Sequence, residues 1–299
     1  MLSPFVSHSP ATTQIRIGTR WIQTATTTPP RGIVVGGLRL PPAAVGTVIS
    51  PIRGTPVCNT VRFSDPAGSI RTGELGGGTV SFGAETYDLE EVDLLAPCEP
   101  TKIVCVGLNY ENHAEEAGIE IPDRPLLFLK GPNTVAGPND TVTLPAGKER
   151  VDWEAEFGVV IGEQCKDVPE EAAMDVVTGY TCVNDVSNRD DQEVEQNWVR
   201  GKAFDGAAPI GPAIASPDEV PDDASIELRV NGETKQDSSI SEFIFSVPEL
   251  VEEITTYMTL EPGDVISTGT PAGVGALSDG DRVEVEIEGV GVLEHGVVQ

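Results

Sequence analysis

Large apolar residues alternate with acidic ones through Asp152-Trp153-Glu154-Ala155-Glu156-Phe157 before an apolar run, Val159-Val160-Ile161. A repeat of two is the period of a β-strand, so Trp153, Ala155 and Phe157 share one face and Glu154 and Glu156 the other. Side chains two apart on one strand face leave the backbone about 6.6 Å apart. Oxygen ligands spaced in this way suit a hard divalent cation, which would relieve their mutual repulsion. The same alternation recurs in Val283-Glu284-Val285-Glu286-Ile287-Glu288. There it reads as a half-exposed strand with a solvated acidic face, so the pattern alone does not separate a site from a surface.

Other periodicities place the remaining chemistry. The apolar run 103–107 reads as a buried strand leading into a short helix over 109–118 that closes at Gly118. His113 and Glu116, three apart, share a face of that helix, either as an ordinary surface pair or as a base with its orienting carboxylate. Lys130 ends the apolar run 126–129, as a strand-end solvent contact or a ligand contact. Residues 169–177 read as a helix, and 180–186 as a strand that delivers Asp185. The strand 226–230 runs into an Asn231-Gly232 hairpin turn. Ser246-Val247-Pro248-Glu249 is a capping box that opens a helix with the apolar stripe Leu250, Val251, Ile254 and Met258. A further strand feeds the loop Thr268-Gly269-Thr270-Pro271-Ala272-Gly273-Val274-Gly275. The loop has no Gly-Lys-Ser/Thr and so is not a nucleotide phosphate loop. Either its backbone amides and the Thr270 hydroxyl are available to hold a small anion, or the loop is a structural turn. Many short strands and few helices predict an α+β, β-dominated fold.

Charge divides the chain. Residues 1–60 contain five arginines, no lysine and no acidic residue, whereas 61–299 carry all 48 acids against 14 bases. The first 60 residues are therefore expected to be a disordered extension or a start-site artefact. Residues 61–97, punctuated by Gly76-Gly77-Gly78, read as a small N-terminal β module, and 98–299 as the catalytic domain. A net charge of −29 argues against nucleic acid and anionic membrane as partners. Acidity spread along the chain, with only six lysines, resembles that of haloarchaeal proteins. In a salt-rich cytoplasm a screening length of about 3 Å at 1 M salt tolerates such repulsion. Five cysteines without a Cys-x-x-Cys indicate neither a disulfide framework nor a zinc site and fit a reducing cytoplasm. No apolar run approaches the roughly 18 residues of a membrane span.

Taken together, Gly107-Leu108-Asn109-Tyr110, Asp152-Trp153-Glu154-Ala155-Glu156, Asn184-Asp185-Val186-Ser187, Gly201-Lys202, Leu260-Glu261-Pro262-Gly263-Asp264 and the loop 268–275 resemble the fumarylacetoacetate hydrolase family over roughly residues 102–299. The resemblance implies a mixed β-sandwich roll, a homodimer and a divalent metal, Mg2+, Mn2+ or Ca2+, held by Glu154, Glu156 and Asp185. It also implies Lys202, Arg189, Gln192 and Thr270 around a small-molecule 2-oxo acid or 1,3-dicarbonyl substrate. His113 oriented by Glu116 would then activate water for acylpyruvate or fumarylpyruvate C–C hydrolysis. Isomerisation of 2-hydroxyhepta-2,4-diene-1,7-dioate, and decarboxylation of 5-oxopent-3-ene-1,2,5-tricarboxylate or oxaloacetate, are the alternatives within the family. A metal-free binding protein is the alternative of a different class.

Overall fold

The apolar face of the 152–161 segment is built as its alternation predicts. Val151, Trp153, Ala155, Phe157, Val159 and Ile161 all belong to one large core cluster. Its other face is not solvated, because every residue from Val151 to Ile161 is buried. The run is also two strands and not one. Val151–Trp153 lies in a three-stranded sheet, Ala155–Ile161 lies in a twelve-stranded one, and Glu154 sits at the break. In this computed structural model, which describes residues 59–118 and 120–299, the site carboxylates therefore stand where the chain passes from one sheet to the next. The proposed extension falls almost entirely on residues 1–58, outside the described residues.

Ala155–Ile161 pairs antiparallel with Val177–Asn184, Ala155 opposite Asn184, and on its other side with Val265–Ser267. Ile103–Val106 joins Val265–Ser267 in parallel, and Leu127–Lys130 forms the edge beyond it. Asp185 follows the last residue of the Val177–Asn184 strand, which ends earlier than expected. The expected helix over 169–177 is a 3-10 helix, Glu170–Val176. The β-branched pair Val177-Thr178 opens the strand and ends the helix at Val176. At the other edge Asn59–Ser64 pairs with Ala208–Ala215 and continues the sheet into Ile70–Gly76, Thr79–Phe82 and Glu85–Asp88. Val61, Phe63 and Val80 make a small core of their own with Ala213.

A third, five-stranded sheet contains Ser225–Val230, Glu233–Ser239, Arg282–Ile287, Gly291–Val298 and Thr141–Thr143. Asn231 and Gly232 both have positive φ, 53° and 79°, as a tight hairpin turn requires. Arg282–Ile287 is half-exposed as predicted, but its acidic face is not merely solvated. The Arg229 guanidinium spans it, 2.8 Å from both Glu284 and Glu286 and 2.9 Å from Glu227. The helix Val247–Tyr257 has the Ser246/Glu249 capping box and buries Leu250, Val251 and Ile254. Among the described residues no helix is long and apolar enough to cross a membrane.

His295, on the last strand, connects this sheet to the site. Asn184 Oδ1 accepts from Glu154 N at 2.9 Å, so Asn184 Nδ2 is the donor to His295 Nε2, 2.8 Å away. His295 Nδ1 faces the carbonyl of Gly296 at 3.1 Å and must carry the proton. The ring is therefore neutral, and burial lowers its pKa to about 4. A group depressed in this way stabilises the fold fully above its unfolded pKa near 6.5, and the contribution is lost as the pH falls towards 4. Its size is about 3 kcal/mol by order of magnitude. Denaturant unfolding between pH 7 and 4.5 should show this loss, and His295→Gln, which does not titrate, should have a shallower pH slope. An equal slope in both proteins would refute the assignment.

Candidate metal centre and active site

The strand break at Glu154 and the strand end at Asn184 bring three carboxylates together. Glu154, Glu156 and Asp185 are 4 %, 2 % and 1 % exposed. One oxygen of each lies within 4.8 Å of the others. Like charges that close, in a dry environment, persist only if neutralised. Lys202, at the end of the short helix Val199–Lys202, places Nζ 2.6 Å from Glu154 Oε2 and 2.7 Å from Asp185 Oδ2. The ammonium also lies 4.8 Å from the centre of the Phe128 ring. Trp198, which precedes this helix in the left-handed region at φ 57°, packs edge-on against Phe128.

The electrostatics differ between the carboxylates. Burial favours protonation of Glu154, but Lys202 and Arg189 overcome it and hold its pKa well below the usual range. Burial disfavours the Lys202 ammonium, and Asp185 and Glu154 reverse this, so Lys202 stays charged. Glu156 has no cation of its own. Burial, then the charges of Asp185 and Glu154, raise its pKa to about 8. Its Oε2 accepts from the Ser267 hydroxyl at 2.5 Å and the Gly269 amide at 3.0 Å.

Eight of the nine residues singled out in the sequence line one cavity of about 1070 Å³: Glu154, Glu156, Lys202, Arg189, Gln192, Thr270, His113 and Glu116. Asp185 is not part of its wall and lies in ionic contact with Lys202. His113 and Glu116 sit on the helix Glu111–Ala117, with Nδ1 3.4 Å from Glu116 Oε2. Arg189 is engaged mainly with protein. Its Nε is 2.8 Å from Asp152, Nη2 contacts Glu154, and Nη1 donates to Gln192 Oε1 at 2.7 Å.

Two expectations are corrected. In the loop 268–275 the Thr268 amide donates to the Phe157 carbonyl and the Gly269 amide to Glu156, so neither is open to an anion. The Ala272 and Gly273 amides point at Asn112 Oδ1, at 3.3 Å, and at the Glu116 carboxylate, at 3.2 Å. These contacts tie the His113 helix to the loop, and Gly273 (φ 100°) has no room for a side chain, since a Cβ would lie 2.2 Å from Lys235 O. Lys130 is neither a solvent nor a cavity contact. It is 1 % exposed, with Nζ 2.7 Å from Asp185 Oδ1, and it donates to the carbonyls of Lys202, Val186 and Ala207. Sequence reasoning missed this role. The available signal was a lysine closing a wholly apolar run in a chain with so few lysines.

The carboxylate set fits a hard divalent cation: it is all oxygen, and Asp185 Oδ1, although close to Lys130, has no hydrogen bond of good geometry. The fold and this buried carboxylate–lysine cluster define a class of β-rich enzymes. The chain belongs to the fumarylacetoacetate (FAA) hydrolase family, whose C-terminal domain matches residues 102–298. An uncharacterized protein of Archaeoglobus fulgidus is 48 % identical over 226 residues, 76 % of this chain and 90 % of that one. The 2-hydroxyhepta-2,4-diene-1,7-dioate isomerase of Mycobacterium marinum is 39 % identical with a TM-score of 0.74, covering 81 % of this chain and 98 % of that one. The fumarylpyruvate hydrolase of Pseudomonas aeruginosa, solved with Mn2+ and pyruvate, is 34 % identical with a TM-score of 0.63, covering 72 % and 92 %.

A cation held by these carboxylates would compete with a proton on Glu156 for the same place. Titrating metal-free protein with Mn2+ at pH 6.5, in buffers of different ionisation enthalpy, should therefore release about one proton per cation, and far less above pH about 9. Calorimetry reporting no proton release at pH 6.5 would contradict the raised pKa.

Proposed function

We propose that this protein is a divalent-cation-dependent enzyme acting on 2-oxo acids or 1,3-dicarbonyl compounds, with C–C hydrolysis of an acylpyruvate as its best-supported reaction. The observation that carries this reading is that Glu154, Glu156 and Lys202 line one cavity with the His113–Glu116 pair, with Asp185 buried behind them against Lys202. A divalent cation in this carboxylate set supplies Lewis-acid stabilisation of negative charge developing on a substrate oxygen. Lys202, held as an ammonium by its two carboxylates, shares that charge in a water-poor site, where such stabilisation is strongest. With Nδ1–H directed at Glu116, His113 keeps the lone pair on Nε2. Nε2 takes a proton from water as the water oxygen attacks the acyl carbon. The C–C bond then breaks, leaving a carboxylic acid on the acyl side, and its electron pair passes to the 2-oxo acid fragment, whose carbon takes up the proton held on Nε2. Gln192 and Thr270 line the cavity as polar contacts for that fragment.

Isomerisation of a 2-hydroxydienedioate is the second reading, favoured by the likeness to the Mycobacterium marinum isomerase. It uses the same charge stabilisation and consumes no water. We extend the proposal to a homodimer in a reducing, salt-rich cytoplasm. Four buried free thiols among the described residues and the acidic composition support that setting.

His113→Ala should lower acetylpyruvate hydrolysis in Mg2+ and high salt by about 10²- to 10⁴-fold, the usual worth of general-base assistance. Decarboxylation of oxaloacetate should fall much less, whereas Lys202→Met should abolish both. Steady-state kinetics on variants shown to be folded by circular dichroism make the test. Intact hydrolysis in His113→Ala, or intact activities in Lys202→Met, would contradict the division of labour.

A further inference from the structure

Gln236, on the strand Glu233–Ser239 of the five-stranded sheet, is 1 % exposed and reaches the loop that carries Thr270. Its side-chain Oε1 accepts from the backbone N–H of Ala155 at 2.9 Å, and its Nε2 lies 2.8 Å from the carbonyl oxygen of Pro271. A backbone N–H can only donate and a carbonyl can only accept, so the amide has one possible orientation. The second hydrogen of Nε2 points at Thr270 Oγ1, 2.8 Å away. Thr270 Oγ1 is thereby an acceptor towards Gln236, and among the described residues no protein acceptor takes its own hydrogen. Thr270 lines the cavity together with Glu154, Glu156 and Lys202.

We infer that Gln236 is a positioning residue that turns the Thr270 hydroxyl hydrogen into the cavity, where it donates to a substrate acceptor such as a carboxylate. The inference rests on the 2-oxo acid reading above. Gln236 does not line the cavity, and its contact with the cavity wall is through Thr270. The same amide joins the strand that carries Glu156 to the loop that carries Thr270, which fixes the donor relative to the carboxylate cluster.

A double-mutant cycle on pyruvate binding in saturating Mn2+, read by calorimetry, tests this. Thr270→Val removes the donor and should weaken pyruvate at least tenfold. Gln236→Met frees the hydroxyl to turn and should weaken it about tenfold, the order of one hydrogen bond to a charged group. On the Thr270→Val background, Gln236→Met should change affinity by less than about twofold. A purely structural role would instead give the same loss on both backgrounds, and that result overturns the assignment. Should Gln236→Met not fold, a crystal structure of the unaltered protein with Mn2+ and pyruvate decides. It should place a carboxylate oxygen about 2.5–3.0 Å from Thr270 Oγ1. A bound pyruvate that leaves Thr270 Oγ1 without contact overturns the assignment alone. Failure of the unaltered protein to bind pyruvate overturns the 2-oxo acid reading and the assignment with it.

Discussion

Burying carboxylates side by side is the constraint on which the rest of this structure depends. Asp152, Glu154, Glu156 and Asp185 are all 4 % exposed or less, and an isolated buried charge costs several kcal/mol. Each is answered locally. Arg189 bridges Asp152 and Glu154, Lys202 bridges Glu154 and Asp185, and Lys130 stands beside Asp185. Glu156 is left with dipoles only, and this is why it differs from its neighbours in proton affinity. The arrangement is a cluster of buried oxygens in which Glu156 alone lacks a cation partner.

Neutralisation alone would not fix the geometry. Amide and imidazole groups whose donor and acceptor ends are forced by backbone partners hold the carboxylate strands in register. Asn184 secures the Glu154 amide and is itself secured by His295, while Gln236 secures the Ala155 amide. Both supports come from the five-stranded sheet. That sheet therefore braces the strand break where the chemistry sits, although none of its strands carries one of the three carboxylates. The His113 helix is only seven residues long, a length that is marginal in water by itself. Asn112 and Glu116 join it to the loop after Val265–Ser267, so the candidate base is placed by the same strand end that holds Glu156.

Much of this was legible in the sequence where the cause is local. Period-two alternation located Glu154 and Glu156, the Asn231-Gly232 turn required only its own backbone, and the Ser246/Glu249 box closed within one helical turn. Lys202 and Asp185 became legible through motif spacing, since nothing local marks a lysine as the partner of two carboxylates. Lys130, Gln236 and His295 were not legible as site supports. Their partners lie 55, 81 and 111 residues away, at Asp185, Ala155 and Asn184, and only the folded sheets create those contacts. Periodicity also misjudged solvation. The 152–161 and 283–288 runs alternate alike, yet one is buried on both faces and the other is half-exposed, a difference set by what packs over each sheet.

If Glu154, Glu156 and Asp185 form one cation site, anomalous scattering from Mn2+-soaked crystals will show one dominant peak, about 2.0–2.6 Å from an oxygen of each of the three residues. A peak only on the acidic surface, or none within the cluster at saturating Mn2+, would contradict such a site.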